Sequence, residues 1–177
     1  YAAQMFLFNA DGSRAEISGN GIRCFAQALA MRRGDLEGRR ILTDAGERVL
    51  TLATTDDPSV VEAAVDMGEV TVLPEPANWA SLACDSTRPV SHLAVGNPHS
   101  VVAVDEVAAV DLLSLGQLVP QINLEIIEAG PQPDAITMRV HERGAGITQA
   151  CGTGACAAAW AAAQWGMVAR DLEEIVV

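Results

Sequence analysis

The sequence predicts an α/β protein built from two related halves, and three observations carry that prediction. Apolar strand-like runs and Ala- and Leu-rich helical runs are interleaved along the 177 residues, the pattern of a mixed fold. A succession of strand, turn, Gly-x-Gly and Ala-rich helix occurs twice. Ser18-Gly-Asn-Gly-Ile-Arg-Cys-Phe-Ala aligns with Cys151-Gly-Thr-Gly-Ala-Cys-Ala-Ala-Ala, an internal repeat. The lead-in repeats as well: Asn9 stands nine residues before Ser18, and Glu142 nine before Cys151. We place the halves at residues 1–64 and 65–177.

Each element has a local reason. MFLFNA reads as a strand ending at Asn9, and ADGSRAE after it is turn chemistry. GIRCFAQALAMRRG reads as a helix that Gly34 stops. RRILTDAGERVLTLATT reads as a hairpin with Gly46 in its turn, and VVEAAVDMGEV as a further strand. The Pro-containing stretch VLPEPANWASLACDSTRPV reads as a loop or linker. SHLAVGNPHSVVAV gives strand, turn and strand, and DLLSLGQLVPQ a short helix closed by Pro120. INLEII and AITMRVHER read as strands, the second with Ile136, Met138 and Val140 on one face. GTGACAAAWAAAQWGMV reads as a small-residue helix with Gly166 as its stop.

Composition narrows the function. Half of the residues are hydrophobic and the net charge is −12, so nucleic acid and anionic membranes, which need a basic footprint, are poor partners. No apolar run reaches the roughly 20 residues of a membrane span, and no basic segment followed by an apolar block opens the chain. The start, without an initiator Met, reads as the middle of a strand, and the end stops on an apolar run. We therefore expect a piece of a longer protein. Four cysteines without a Cys-x-x-Cys are neither a disulfide scaffold nor a structural zinc site. They point to free thiols in a reducing, cytoplasmic setting, with no metal.

The two Gly-x-Gly helix starts carry the chemistry. Glycine lets backbone approach a ligand, and the unpaired N–H groups of a helix start, with the helix dipole, favour a carboxylate. Two such ends can grip one small anion; a single one reads equally well as a helix-entry turn. A cysteine at a helix N-terminus is expected to have a depressed pKa, so Cys151 should be the most reactive thiol. Its plainer reading is a small buried hydrophobe, the better reading for Cys24 and Cys156 inside their helices; Cys84 receives no role. Asn97 and His99 flank Pro98 in a turn, where Asn97 could both donate to and accept from a zwitterion, or simply cap the turn. Glu142 and Arg143 are either a surface pair or the holders of an ammonium and a carboxylate.

FNADGSRAEISGNGIRC, GNPH, INLEI and ERGAGITQACGTGACA, in that order across nearly the whole chain, resemble diaminopimelate epimerase. Proline racemases and phenazine-pathway isomerases share the Gly-rich loops but usually carry His where this chain has Asn20, and they lack the Glu-Arg-Gly lead-in. The resemblance implies two pseudo-symmetric domains, each with mixed strands around a central helix, and a site between them. It implies interconversion of LL- and meso-diaminopimelate without pyridoxal phosphate, metal or other cofactor, in a possible homodimer. One cysteine takes the α-proton and another returns a proton to the opposite face, general acid–base catalysis by two groups. By the resemblance Cys151 is one of these, and Ser18 stands where the other belongs. Gly19, Asn20, Gly152 and Thr153 fall on the carboxylate cradle, and Asn9, Asn97, Asn123, Glu142 and Arg143 on substrate-binding positions, with His99 beside them. A hydroxyl without an adjacent base is a poor proton acceptor, so the reaction is expected to be impaired. The alternatives are a one-thiol relative such as an amino-acid dehydratase, a non-catalytic amino-acid binding module, and a Cys–His hydrolase pairing Cys151 with His99 or His141.

Overall fold

The computed structural model describes residues 1–9, 12–57 and 59–177. The chain divides into two compact units, Tyr1–Gly68 and Glu69–Val177.

The first unit holds a four-stranded sheet and one helix. Strands β1 (Ala3–Gln4), β4 (Arg39–Thr43), β5 (Gly46–Thr54) and β6 (Val61–Asp66) lie in the order β1-β4-β5-β6. The predicted hairpin is β4–β5, and Gly46, at φ 95, sits where the chain re-enters the sheet; that left-handed backbone favours glycine. Of the strand predicted to end at Asn9, Leu7–Phe8 form a short strand, and it lies outside the four-stranded sheet. The Met5 amide still bonds the Leu42 carbonyl at 2.9 Å, but β2 (Leu7–Phe8) then pairs with β3 (Arg14–Ala15). The switch follows from Met5, which is buried in the core while Phe6 is exposed. The turn predicted after this strand is a hairpin loop: the Asn9 amide bonds the Ser13 carbonyl at 2.8 Å, and Gly12 bonds back to the Asn9 carbonyl. Ala10 and Asp11 of that predicted turn lie outside the described residues.

Helix α1 (Gly19–Arg33) buries Ile22, Ala26 and Ala30, a 4-residue repeat on one face. Ile22 and Ala26 share a core with Met5, Ile41 and Leu50. Gly34 ends the helix in left-handed backbone, φ 73 and ψ 26.

The second unit is a six-stranded sheet in the order β12-β11-β10-β9-β8-β7. Its strands are β7 (Thr71–Val72), β8 (Val90–Ala94), β9 (Pro98–Ala103), β10 (Asn123–Ala129), β11 (Ile136–Glu142) and β12 (Gly146–Thr148). The stretch read as a loop takes in Val72 of β7 and a 3-10 turn at Trp79–Leu82. β9 and β10 are parallel, so a crossover must join them, and helix α2 (Leu112–Leu118) lies in it.

β10 is buried from Asn123 to Ile127, and period-two alternation divides its side chains between two faces. Leu124 and Ile126 join a core with Trp79, Val102, Leu112 and Val119. On the other face, Asn123 is registered with His99 and Glu125 with Val101 across β9, and Glu125 with Val140 across β11. Helix α3 (Gly152–Trp165) covers that face. Its Ala157, Ala158, Ala161 and Ala162 are fully buried, so this helix packs through small side chains. Gly166 ends α3 at φ 73 and ψ 23, nearly the values at Gly34. Both units are thus mixed sheets packed with one Gly-x-Gly helix, the pseudo-symmetric α/β class expected from the sequence.

Candidate active site

The repeat seen in sequence is repeated in backbone geometry. Ser18 caps α1 with φ −136 and ψ 122, and its Oγ accepts the Gly21 N–H at 3.0 Å. Cys151 caps α3 with φ −128 and ψ 111, and its Sγ accepts the Gly154 N–H at 3.3 Å. The next amide bonds the cap carbonyl in each case, Ile22 to Ser18 at 2.9 Å and Ala155 to Cys151 at 2.8 Å. The Gly154 N–H of the α3 start is thereby satisfied by the cap side chain. Those of Gly152 and Thr153 have no acceptor within the helix, and so suit a carboxylate.

The second unit gathers its predicted residues at one end of the sheet, on the α3 face. The Asn123 side chain donates to the Pro98 carbonyl at 2.9 Å and accepts the Arg143 N–H at 2.9 Å, tying the starts of β9 and β10 to the end of β11. Glu142 accepts a hydrogen bond from the Thr148 hydroxyl. Asn97 Oδ1 lies 2.9 Å from His99 Nε2, and His99 Nδ1 lies 2.6 Å from Glu125 Oε1. His99 and Glu125 are almost wholly buried. A methyl group placed on Gly154 would meet Glu125 Oε1 at 2.6 Å, so the second Gly of the α3 loop is there to admit this carboxyl. Sequence reasoning gave Glu125 no role. The signal was a charged residue within the apolar run of INLEII.

Electrostatics correct one expectation. Cys151 is 6% exposed, and burial pushes its thiol up to about 12 rather than down. The Thr153 hydroxyl, 3.4 Å from Sγ, and the Gly154 N–H oppose the rise, while the carboxyls of Glu142 and Glu125 add to it. Desolvation outweighs the helix terminus, so Cys151 rests as a thiol. Glu125 is also raised, first by burial and further by Glu142, against the lowering effect of His99. The hydrolase alternative finds no support: His99 spends its two ring nitrogens on Glu125 and Asn97, and the His141 ring packs against Gly116 of α2.

The other predicted residues of the first unit are Gly19 and Asn20, next to Ser18 in the chain, and Asn9. Gly19 is buried at the start of α1, Asn20 accepts a hydrogen bond from Arg23, and Asn9 donates to Ser13 Oγ at 3.0 Å in the β2–β3 hairpin.

The chain is similar to known proteins in fold and in sequence. Two solved structures show the fold alone. A "Predicted Epimerase" of Pseudomonas aeruginosa superposes with a TM-score of 0.70 at 16% identity, covering 95% of this chain and 64% of its own. A phenazine biosynthesis protein of Bacillus anthracis gives 0.60 at 16% identity, covering 96% and 64%. Sequence relatives are nearer. Diaminopimelate epimerase of Cyanothece sp. is 42% identical over 96% of this chain and 65% of its own length. That of Acaryochloris marina is 39% identical over 86% and 60%. The chain thus spans less than two thirds of either relative. The diaminopimelate epimerase family model matches residues 92–175, the stretch that carries Asn97, Asn123, Glu142 and the Cys151 cap, and by its sequence the chain belongs to the diaminopimelate epimerase family.

Proposed function

We propose that this protein moves the α-proton of diaminopimelate, interconverting the LL and meso forms, with Cys151 as one proton carrier and Ser18 at the position of the other. The observation that carries this reading is the matched pair of helix caps, which gives Cys151 and Ser18 the same backbone setting in the two units. Around Cys151, the N–H groups of Gly152 and Thr153 take the α-carboxylate and offset charge that builds on it as the proton leaves. Asn97, Asn123, Glu142 and Arg143 hold the remaining polar groups. A thiol pushed up to about 12 keeps its proton and is still far more acidic than an amino-acid α-carbon, so Cys151 donates readily to a carbanion. Removal of a proton from the other face then falls to position 18, where a serine hydroxyl is a weak base. The reading accordingly makes the chain an impaired epimerase, in the cytoplasm and as a homodimer.

Ser18→Cys is the test. The rate of LL to meso conversion should rise by about 10²–10⁴-fold, the usual worth of a general acid–base group. Both directions pass through both groups, so both should gain. Full activity of the serine form would refute the two-thiol mechanism. A folded cysteine form that binds diaminopimelate yet neither epimerises it nor exchanges its α-proton with D2O would favour the binding-module reading. Release of a keto product would favour the dehydratase.

A further inference from the structure

Two oxygen atoms flank the His99 imidazole: Glu125 Oε1 at Nδ1 and Asn97 Oδ1 at Nε2. An amide oxygen only accepts, so Nε2 must carry a hydrogen. At Nδ1 two arrangements fit 2.6 Å. Either the carboxyl keeps its proton and donates to Nδ1, or a carboxylate accepts from a doubly protonated ring. Burial of Glu125 favours its neutral form, and Glu125 Oε2 has no hydrogen-bond partner among the described residues, which again suits a carboxyl that keeps its proton. Either arrangement leaves the hydrogen on Nε2. With Asn97 Oδ1 held toward the ring, the planar amide turns Nδ2 away from it. Asn97 is half-buried, so a donor in that direction can meet a ligand. The groups around the pair are Glu142 on β11 and the Cys151 cap of α3, with Gly154 against Oε1.

We propose that Glu125 is a positioning residue: acting through His99, it holds Asn97 Oδ1 inward and presents the Asn97 amino group as a donor to a substrate carboxylate. The tautomer and amide orientation stand on the geometry of the second unit; the identity of the ligand rests on the epimerase reading.

The ring nitrogens report the tautomer directly in long-range proton–nitrogen spectra of the full chain without ligand. The expected result is a protonated Nε2 in the parent protein and in Glu125→Gln, whose amide N–H can donate to Nδ1 as the carboxyl does. Glu125→Met, which offers Nδ1 no partner, should lose the fixed Nε2–H signature. Calorimetric titration with diaminopimelate should show binding weakened about tenfold or more in Glu125→Met, the scale of a hydrogen bond to a charged group, and largely restored in Glu125→Gln. An unprotonated Nε2 in the parent protein overturns the proposal, because Asn97 must then present its oxygen outward. That spectrum needs no variant, so a poorly folding Glu125→Met cannot shield the idea. A tautomer unchanged in Glu125→Met also overturns it. The expected tautomer behaviour in a parent protein that does not bind diaminopimelate supports the positioning role and refutes the substrate.

Discussion

Alkylation of Cys151 offers a direct measure of the balance between burial and helix terminus. The thiol stands at about 12 against an ordinary 9.0. At a pH below both values the thiolate fraction of Cys151 is therefore about 10³-fold lower than that of an ordinary cysteine. Iodoacetamide rates read by peptide mapping give the profile, with the exposed Cys24 as the reference in the same tube. Low exposure of Cys151 slows the reagent at every pH and lowers the plateau; the shifted pKa moves the inflection. The two effects are thus separable in one experiment. We expect the Cys151 rate to go on rising with pH well above 9.0. An inflection at or below 9.0 would refute the argument, because Thr153, Gly154 and the helix terminus would then outweigh desolvation.

Two further predictions concern Glu125 and its surroundings. Gly154→Ala sets a methyl 2.6 Å from Glu125 Oε1 and 3.2 Å from Cys151 Sγ; since that carboxyl is locked to His99, the variant should lose about 1–3 kcal/mol, the usual cost of overpacking, and an unchanged urea midpoint would show that the pair gives way freely. Glu125 also imposes a sign on pH dependence. Its carboxyl is raised above 4.5, so its contribution to stability is complete below 4.5 and is lost as pH rises through the raised native value. The urea midpoint of the parent protein relative to Glu125→Gln should fall as pH rises above 4.5, and a constant difference would contradict the raised carboxyl.

Some of this was legible in the sequence because the deciding forces are local. Gly34 and Gly166 each end a helix in left-handed backbone, a conformation costly for other residues, so the stops of both helices can be read without a fold. The cap residues Ser18 and Cys151 are similarly fixed by the Gly-x-Gly next to each in the chain. The start of the chain was not readable in this way. MFLFN is one apolar run, and only the burial of Met5 against Ile41 and Leu50 shows why pairing changes after it. Glu125 was hidden for a similar reason: INLEII alternates as a strand should, and nothing local says that His99, 26 residues earlier, lies beside it. The thiol of Cys151 was misjudged because position at a helix start is local, whereas desolvation comes from the whole α3 face of the sheet.

The matched caps also set a limit on what serine can do at position 18. Oxygen accepts the Gly21 N–H at 3.0 Å, where sulfur accepts the Gly154 N–H at 3.3 Å. Ser is among the preferred N-cap residues, and loss of such a cap costs about 0.5–2 kcal/mol. The better cap is thus the poorer proton carrier. In Ser18→Cys the two consequences should therefore diverge, with epimerisation rising while the thermal midpoint of the same preparation falls. Activity and stability that rise together would mean that the serine hydroxyl contributes little to the α1 start, and that the twin caps are alike in geometry but not in energy.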